Sequence, residues 1–193
     1  NLISKGFKPY FAKYTNSTYS YFPNGIDDFF FFFFTDTNII STNSDVKTIV
    51  YAGNLGEGQG LHKIVPQAAQ KLGNRFKFII IGDGGAKSKL VDEIDRLNIT
   101  NVELRDPVKR LDLIEAYKKA DFLFVHLNDY KAFEKVLPSK LFELATFPKP
   151  IIAGVGGYAN SFVKENLENT ILFEPCDVDD FIEKMNSYSY QTR

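Results

Sequence analysis

The stretch Val136-Leu137-Pro138-Ser139-Lys140-Leu141-Phe142-Glu143 holds a hydroxyl, an ammonium and a carboxylate close together. Ser139 can cap a helix whose first turn contains Lys140. Free N–H groups at a helix start attract phosphate, and Lys140 would add a full positive charge beside them. Glu143 lies one turn further in, placed to accept hydrogen bonds from a diol. A capped helix with two solvated charges fits the same residues. A second group is Gly53-Asn54-Leu55-Gly56-Glu57-Gly58-Gln59-Gly60, a loop rich enough in glycine for a ligand to approach its backbone N–H groups. It lacks the Lys-Ser/Thr ending of a P-loop, which argues against an NTPase, and a flexible connection is the plainer reading. In Gly82-Asp83-Gly84-Gly85 the dinucleotide fingerprint needs a further glycine where Lys87 stands. A nicotinamide dehydrogenase is therefore disfavoured, leaving a phosphate-cradling turn or a tight strand-to-helix turn. His126 and Glu134 are candidate sugar contacts. Their plain readings are a core histidine with a satisfied ring and a surface charge. Cys176 reads as an inert thiol, and no Ser-His-Asp grouping or carboxylate pair marks a catalytic residue.

Composition narrows the partners. The 193 residues are 44% hydrophobic and 24% charged, which excludes wholesale disorder. Twenty-three basic against 24 acidic residues give a net charge of −1, without the basic excess of a nucleic-acid binder. One cysteine permits neither an internal disulfide nor a cysteine zinc site, and two histidines are too few for a histidine-rich metal centre. No metal or cofactor is expected. The run Phe29 to Phe34 is far shorter than the ~18 residues of a membrane helix, and no signal peptide is expected. A cytoplasmic protein is expected, with peripheral attachment at the inner face of the plasma membrane left open. The chain begins at Asn1 and its one methionine is Met185, as expected of an excised fragment.

Alternating elements must position these groups. Apolar, β-branched runs read as strands at Thr48–Ala52, Phe76–Ile81, Asn101–Leu104, Phe122–Val125, Ile151–Ala153 and Thr170–Phe173. Between them lie helical stripes: Leu61, Ile64, Val65, Ala68, Ala69 and Leu72; Leu90, Val91, Ile94 and Leu97; Leu113, Ile114, Tyr117 and Ala120; and Leu141, Phe142 and Ala145. Phe162 with Val163, then Phe181, Ile182 and Met185 behind an Asp177 cap, complete the set. This order implies an α/β fold, a doubly wound parallel sheet of Rossmann-like type. Ligands of such sheets bind beyond the carboxyl ends of the strands, where Gly53, Gly82, Asp106-Pro107-Val108, His126 and Gly154-Val155-Gly156-Gly157 fall. Residues 1–45 do not fit the alternation, although Tyr19 to Phe22 could form one strand.

In order and spacing these pieces resemble a family. They are Pro23-Asn24-Gly25-Ile26-Asp27, Tyr51-Ala52-Gly53-Asn54-Leu55 with Gln59-Gly60, Ile81-Gly82-Asp83-Gly84, Asn101-Val102, Ala120-Asp121, Pro138-Ser139-Lys140-Leu141-Phe142-Glu143 and Lys149-Pro150-Ile151-Ile152-Ala153. Over about residues 20 to 188 the chain is similar to the C-terminal half of glycosyltransferase family 4 enzymes, retaining transferases of the GT-B fold. It is most similar to bacterial polysaccharide and N-acetylfucosamine transferases. The resemblance implies a domain that binds a nucleotide sugar, without metal, opposite an N-terminal domain for a lipid-linked or oligosaccharide acceptor. It implies that residues 1–27 end that acceptor domain and form the hinge, 28–45 link, 46–188 bind the donor, and 189–193 are a tail.

Residue by residue, the resemblance implies that Glu143 is the second glutamate of a Glu–seven residues–Glu motif that binds ribose hydroxyls. Lys135 stands where the first belongs, with Glu134 one place off. The family's diphosphate-binding Arg and Lys fall on Asn54 and Gln59. The resemblance implies that Pro107 and Val108 offer backbone to the base. The expected donor site is thus Glu143, Lys140, Ser139, Lys135, Gly53, Asn54, Gly56, Gln59, Gly60, Gly82, Gly84, Pro107 and Val108, and the expected donor a UDP-sugar. Two rivals stand: a non-catalytic nucleotide-sugar-binding module, and a GT-B-like sugar-nucleotide epimerase.

Overall fold

In the computed structural model, residues 1–14, 16–26, 30 and 45–188 are described. The linker, the tail, Asp27 and the phenylalanine run apart from Phe30 lie outside the described residues. Six strands form one sheet: β1 Lys47–Ala52, β2 Phe76–Ile81, β3 Val102–Arg105, β4 Phe122–His126, β5 Ile151–Gly154 and β6 Thr170–Phe173. All neighbours pair in parallel, in the order β3-β2-β1-β4-β5-β6. Each strand lies within a residue of its sequence expectation, because β-branched and aromatic runs fit a pleated surface covered on both sides.

Successive strand residues feed two cores, as the two-residue period of a strand requires. Ile49, Tyr51, Phe78, Phe124 and Phe173 face the helices Leu61–Leu72, Lys87–Arg96 and Val178–Ser187. Val50, Leu123, Val125, Ile151 and Ala153 face the helices Arg110–Lys119, Lys140–Leu144 and Gly157–Asn166. Asp177 caps the last helix by accepting the Asp180 N–H at 2.9 Å, as its position predicts. The sheet is stapled at its lower edge: Asp121 accepts the Thr48 N–H at 2.8 Å and meets the Lys47 ammonium at 3.2 Å. Asn101 donates to the carbonyls of Ala69, Gly73 and Phe76.

The N-terminal segment differs from its expectation. Tyr19 to Phe22 is not a strand; Tyr21 alone makes a parallel bridge to Leu2. Leu2 N–H donates to Ser20 O and Phe22 N–H to Leu2 O, both at 2.8 Å. Between these two points lie a 3-10 turn, Lys5–Phe7, and a short helix, Lys8–Phe11. Phe30 is buried against Phe147, so this member of the run packs on the domain's own core. Among the described residues no helix is long and apolar enough to cross a membrane.

Candidate functional site

Strand order reverses between β1 and β4, so connections leave that point toward opposite faces of the sheet and open a crevice at the strand ends. A cleft of about 330 Å³ lies there, lined by Ala52, Gly53, Asn54, Ile81, Gly82, Asp83, Pro107, Val108, Leu113 and Lys140. Six expected donor-site residues thus meet from four separate segments: Gly53, Asn54, Gly82, Pro107, Val108 and Lys140. The loops after β1 and β2 are locked together by Leu55 N–H to Asp83 O and Ala86 N–H to Leu55 O, each 2.8 Å. They touch so closely that a Cβ on Gly82, whose φ is +151°, would lie 1.9 Å from Gly53 O. Glycine is required there by backbone contact with another loop.

Several loop N–H groups expected to face a ligand are already used. Gly53 N–H donates to Ile81 O, Gly82 N–H to Arg105 O and Gly60 N–H to Glu57 O. Gly84 N–H donates to the Asp83 carboxylate at 2.9 Å. Gly60 is buried against Asn128 with φ +59° and turns the chain into the helix Leu61–Leu72. Asn54 and Gln59, at the positions the resemblance gives to cations, bond each other at 3.0 Å across Gly56.

Lys140 and Glu143 sit on the short helix Lys140–Leu144, which Ser139 does not cap. The backbone of Ser139 is already helical, with φ −60° and ψ −25°, whereas a capping side chain needs an extended residue. Helical turns begin earlier, with Leu141 N–H on Pro138 O and Phe142 N–H on Ser139 O. Lys140 Nζ donates to both Glu143 oxygens, at 3.1 and 3.0 Å, so the expected solvated charges are an ion pair. Tyr117 OH donates to Glu143 Oε1 at 3.2 Å. Among the described residues lining the cleft, Lys140 is the one cation and Asp83 the one anion.

Lys135 is not brought to the cleft. Its ammonium lies over the Tyr10 ring, 5.6 Å from the centroid, and its carbonyl accepts from Ser4 Oγ at 2.6 Å. Glu134 lines a different hollow of about 340 Å³, with Leu127, Asn128, Tyr130, Gly156 and Glu174 among its walls. His126 is not a sugar contact. It is 1% exposed, and both ring nitrogens are occupied: Nδ1 donates to Gln59 O at 2.6 Å, and Nε2 accepts the Cys176 N–H at 3.0 Å. Burial pushes its pKa down to about 4, so the ring is neutral and ties three strand-end loops together. Tyr117 reads in the sequence only as one apolar stripe residue, and its place beside Glu143 comes from the fold. The available signal is its hydroxyl, which needs a partner once buried.

The family Glycosyl transferases group 1 matches residues 33–190. A putative colanic acid biosynthesis glycosyl transferase, WcaI of Escherichia coli K12, is 30% identical over 104 residues, 54% of this chain and 25% of that protein. The chain therefore spans about a quarter of that relative's length. Among solved structures, Anabaena HepE in complex with UDP and glucose superposes with a TM-score of 0.66 at 18% identity, covering 87% of this chain and 46% of HepE. The catalytic domain of the Helicobacter pylori cholesterol-α-glucosyltransferase gives a TM-score of 0.58 at 15% identity, over 72% of this chain and 84% of that one. These likenesses establish the GT-B half-fold. With the family match running through the sheet, the cleft and the Lys140–Glu143 helix, the chain belongs to the glycosyl transferases of group 1.

Proposed function

We propose that this chain is the donor-nucleotide-binding domain of a retaining, metal-independent glycosyltransferase that uses a UDP-sugar in bacterial capsule or O-antigen assembly. The observation that carries the reading is the cleft at the strand-order reversal, where glycine turns, the Pro107-Val108 backbone and Lys140 converge. The coarse class rests on family membership. The WcaI relative supports surface polysaccharide, and the UDP complex of HepE supports a uridine donor.

Breaking a glycosyl–diphosphate bond puts negative charge on the departing nucleoside diphosphate. Donors already fixed around that charge lower the barrier, because nothing need reorganise as it develops. Lys140 supplies the charge. The helix behind it has five residues and contributes little dipole of its own. Glu143 is assigned to the ribose hydroxyls, and the exposed Val108 turn to the base. Lys135, Gly56, Gln59 and Gly60 support the loops instead of meeting the donor, and the proton acceptor of the reaction is not assigned.

The acceptor is assigned to a second domain that residues 1–26 begin to outline. The Leu2–Tyr21 pairing is parallel and spans a helical crossover, and a parallel pair is stable only inside a larger covered sheet. Ile3, Phe11, Tyr14 and Phe22 are exposed on this segment and would pack there. We place the whole protein in the cytoplasm, at the membrane face where a lipid-linked or oligosaccharide acceptor is presented.

A thermal-shift panel of nucleoside diphosphates and nucleotide sugars tests this. A ligand at 100 times its Kd adds about 2.7 kcal/mol of stability. UDP and UDP-sugars should raise the midpoint; a response to none of the panel would overturn the reading.

A further inference from the structure

Glu143 carries more hydrogen bonds than a ribose-binding carboxylate needs before its ligand arrives. Its Oε1 accepts from Tyr117 OH at 3.2 Å and from Lys140 Nζ at 3.1 Å, and its Oε2 accepts from Lys140 Nζ at 3.0 Å. The two donors differ in kind. Tyr117 is 0% exposed, on the long helix Arg110–Lys119, with its ring edge-on to Phe147 at 5.1 Å. It cannot leave without opening the core. Lys140 lines the cleft on a flexible, part-exposed stem. Burial, and then the Glu143 charge, push the Tyr117 phenol far above its usual range, so it remains a donor at every physiological pH.

We propose that Tyr117 is a positioning residue that pins Glu143 by Oε1, while the Lys140–Glu143 pair opens when a nucleoside diphosphate enters the cleft. The ammonium turns to the diphosphate, and the carboxylate, still held by Tyr117, presents Oε2 to the ribose hydroxyls. This rests on reading the cleft as a nucleoside-diphosphate site. It explains how Lys140, the one cation among the described residues lining the cleft, can serve the phosphates without leaving Glu143 unheld. It also couples the two halves of the ligand, because the phosphates must remove Lys140 before the ribose meets a free carboxylate oxygen. Discrimination among ribose types then depends on a residue that never touches the nucleotide.

The test compares UDP with 2′-deoxy-UDP by titration calorimetry, on the 193-residue chain and on Tyr117→Phe, which keeps the ring. The unaltered chain should prefer UDP by about tenfold or more, the worth of a charge-assisted hydrogen bond. In Tyr117→Phe, UDP should weaken to near the 2′-deoxy-UDP value while 2′-deoxy-UDP barely changes. Glu143→Gln, which keeps the side-chain shape outside the aromatic core, should abolish the same preference. A merely structural tyrosine predicts equal losses for the two ligands, or none, and either result overturns the positioning role. If Tyr117→Phe fails to fold, the Tyr117 Cζ resonance in the unaltered chain decides. It should move on adding UDP, as Oε1 loses Lys140, and not on adding uridine; a resonance indifferent to UDP overturns the proposal. A chain that binds neither nucleotide overturns the reading of the cleft itself, whereas an intact preference in Tyr117→Phe removes only Tyr117.

Discussion

At the scale of single residues, Lys140 carries the sharpest expectation. With Asn54 and Gln59 bonded to each other, the proposed function leaves charge neutralisation in the cleft to this side chain. Lys140→Gln should weaken UDP by about 1.5–3 kcal/mol and uridine far less, with the difference shrinking as salt rises. Equal losses for both ligands would mean general disruption instead. Glu143→Ala carries a cost invisible in the sequence. There Glu143 reads as a solvated helix charge or a diol acceptor, but the fold makes it the partner of a buried phenol. Stranding that hydroxyl should cost about 1–3 kcal/mol of stability by denaturant unfolding, besides weakening UDP. His126 gives a pH signature. Its folded pKa of about 4 lies below the unfolded value, so between them the unfolded chain binds the extra proton. The stability it contributes is complete above about pH 6.5 and is lost as pH falls toward 4, roughly 3 kcal/mol in all. The melting temperature of His126→Gln should fall less steeply across that window; parallel profiles would remove the buried ring as the cause.

At the scale of elements, sheet and helices were legible because a strand covered on both faces must be apolar throughout and a helix on that sheet must show one stripe. Both periods stand plainly in segments such as Phe76–Ile81 and Leu61–Leu72. Other details depend on local backbone geometry or on neighbours that sequence distance conceals. Ser139 lost its capping role because the chain turns helical before it. The bonds of His126 come from Gln59 and Cys176, each some 50 or more residues away, so its lone position could not separate a ligand contact from a structural tie. Gly53 and Gly82, which line the cleft, also let two loops meet, a contact the sequence does not announce. Gly82→Ala tests that contact: its Cβ would collide with Gly53 O, and unfolding should show a loss of about 3 kcal/mol. A neutral substitution would mean that the loops have slack, and with it room for a ligand at their backbone.

At the scale of the whole molecule, the proposed reading makes the chain one wall of a two-walled cleft. It covers 46% of HepE and 25% of WcaI, and positioning both reactants supplies much of a transferase's rate. The 193 residues alone should bind UDP but transfer no sugar; robust transfer would overturn the division into donor and acceptor halves. Among the described residues other hollows open besides the cleft proposed for the nucleotide. They include the hollow with Glu134 and Glu174 and one beside Glu168 and Tyr188. Amide nuclear magnetic resonance during a UDP titration separates them most directly. Saturable shifts are expected at Gly53, Asn54, Gly82, Val108 and Lys140, with Glu134, Glu174 and Glu168 quiet. Shifts centred on either other hollow, or none at millimolar UDP, would contradict the proposed site.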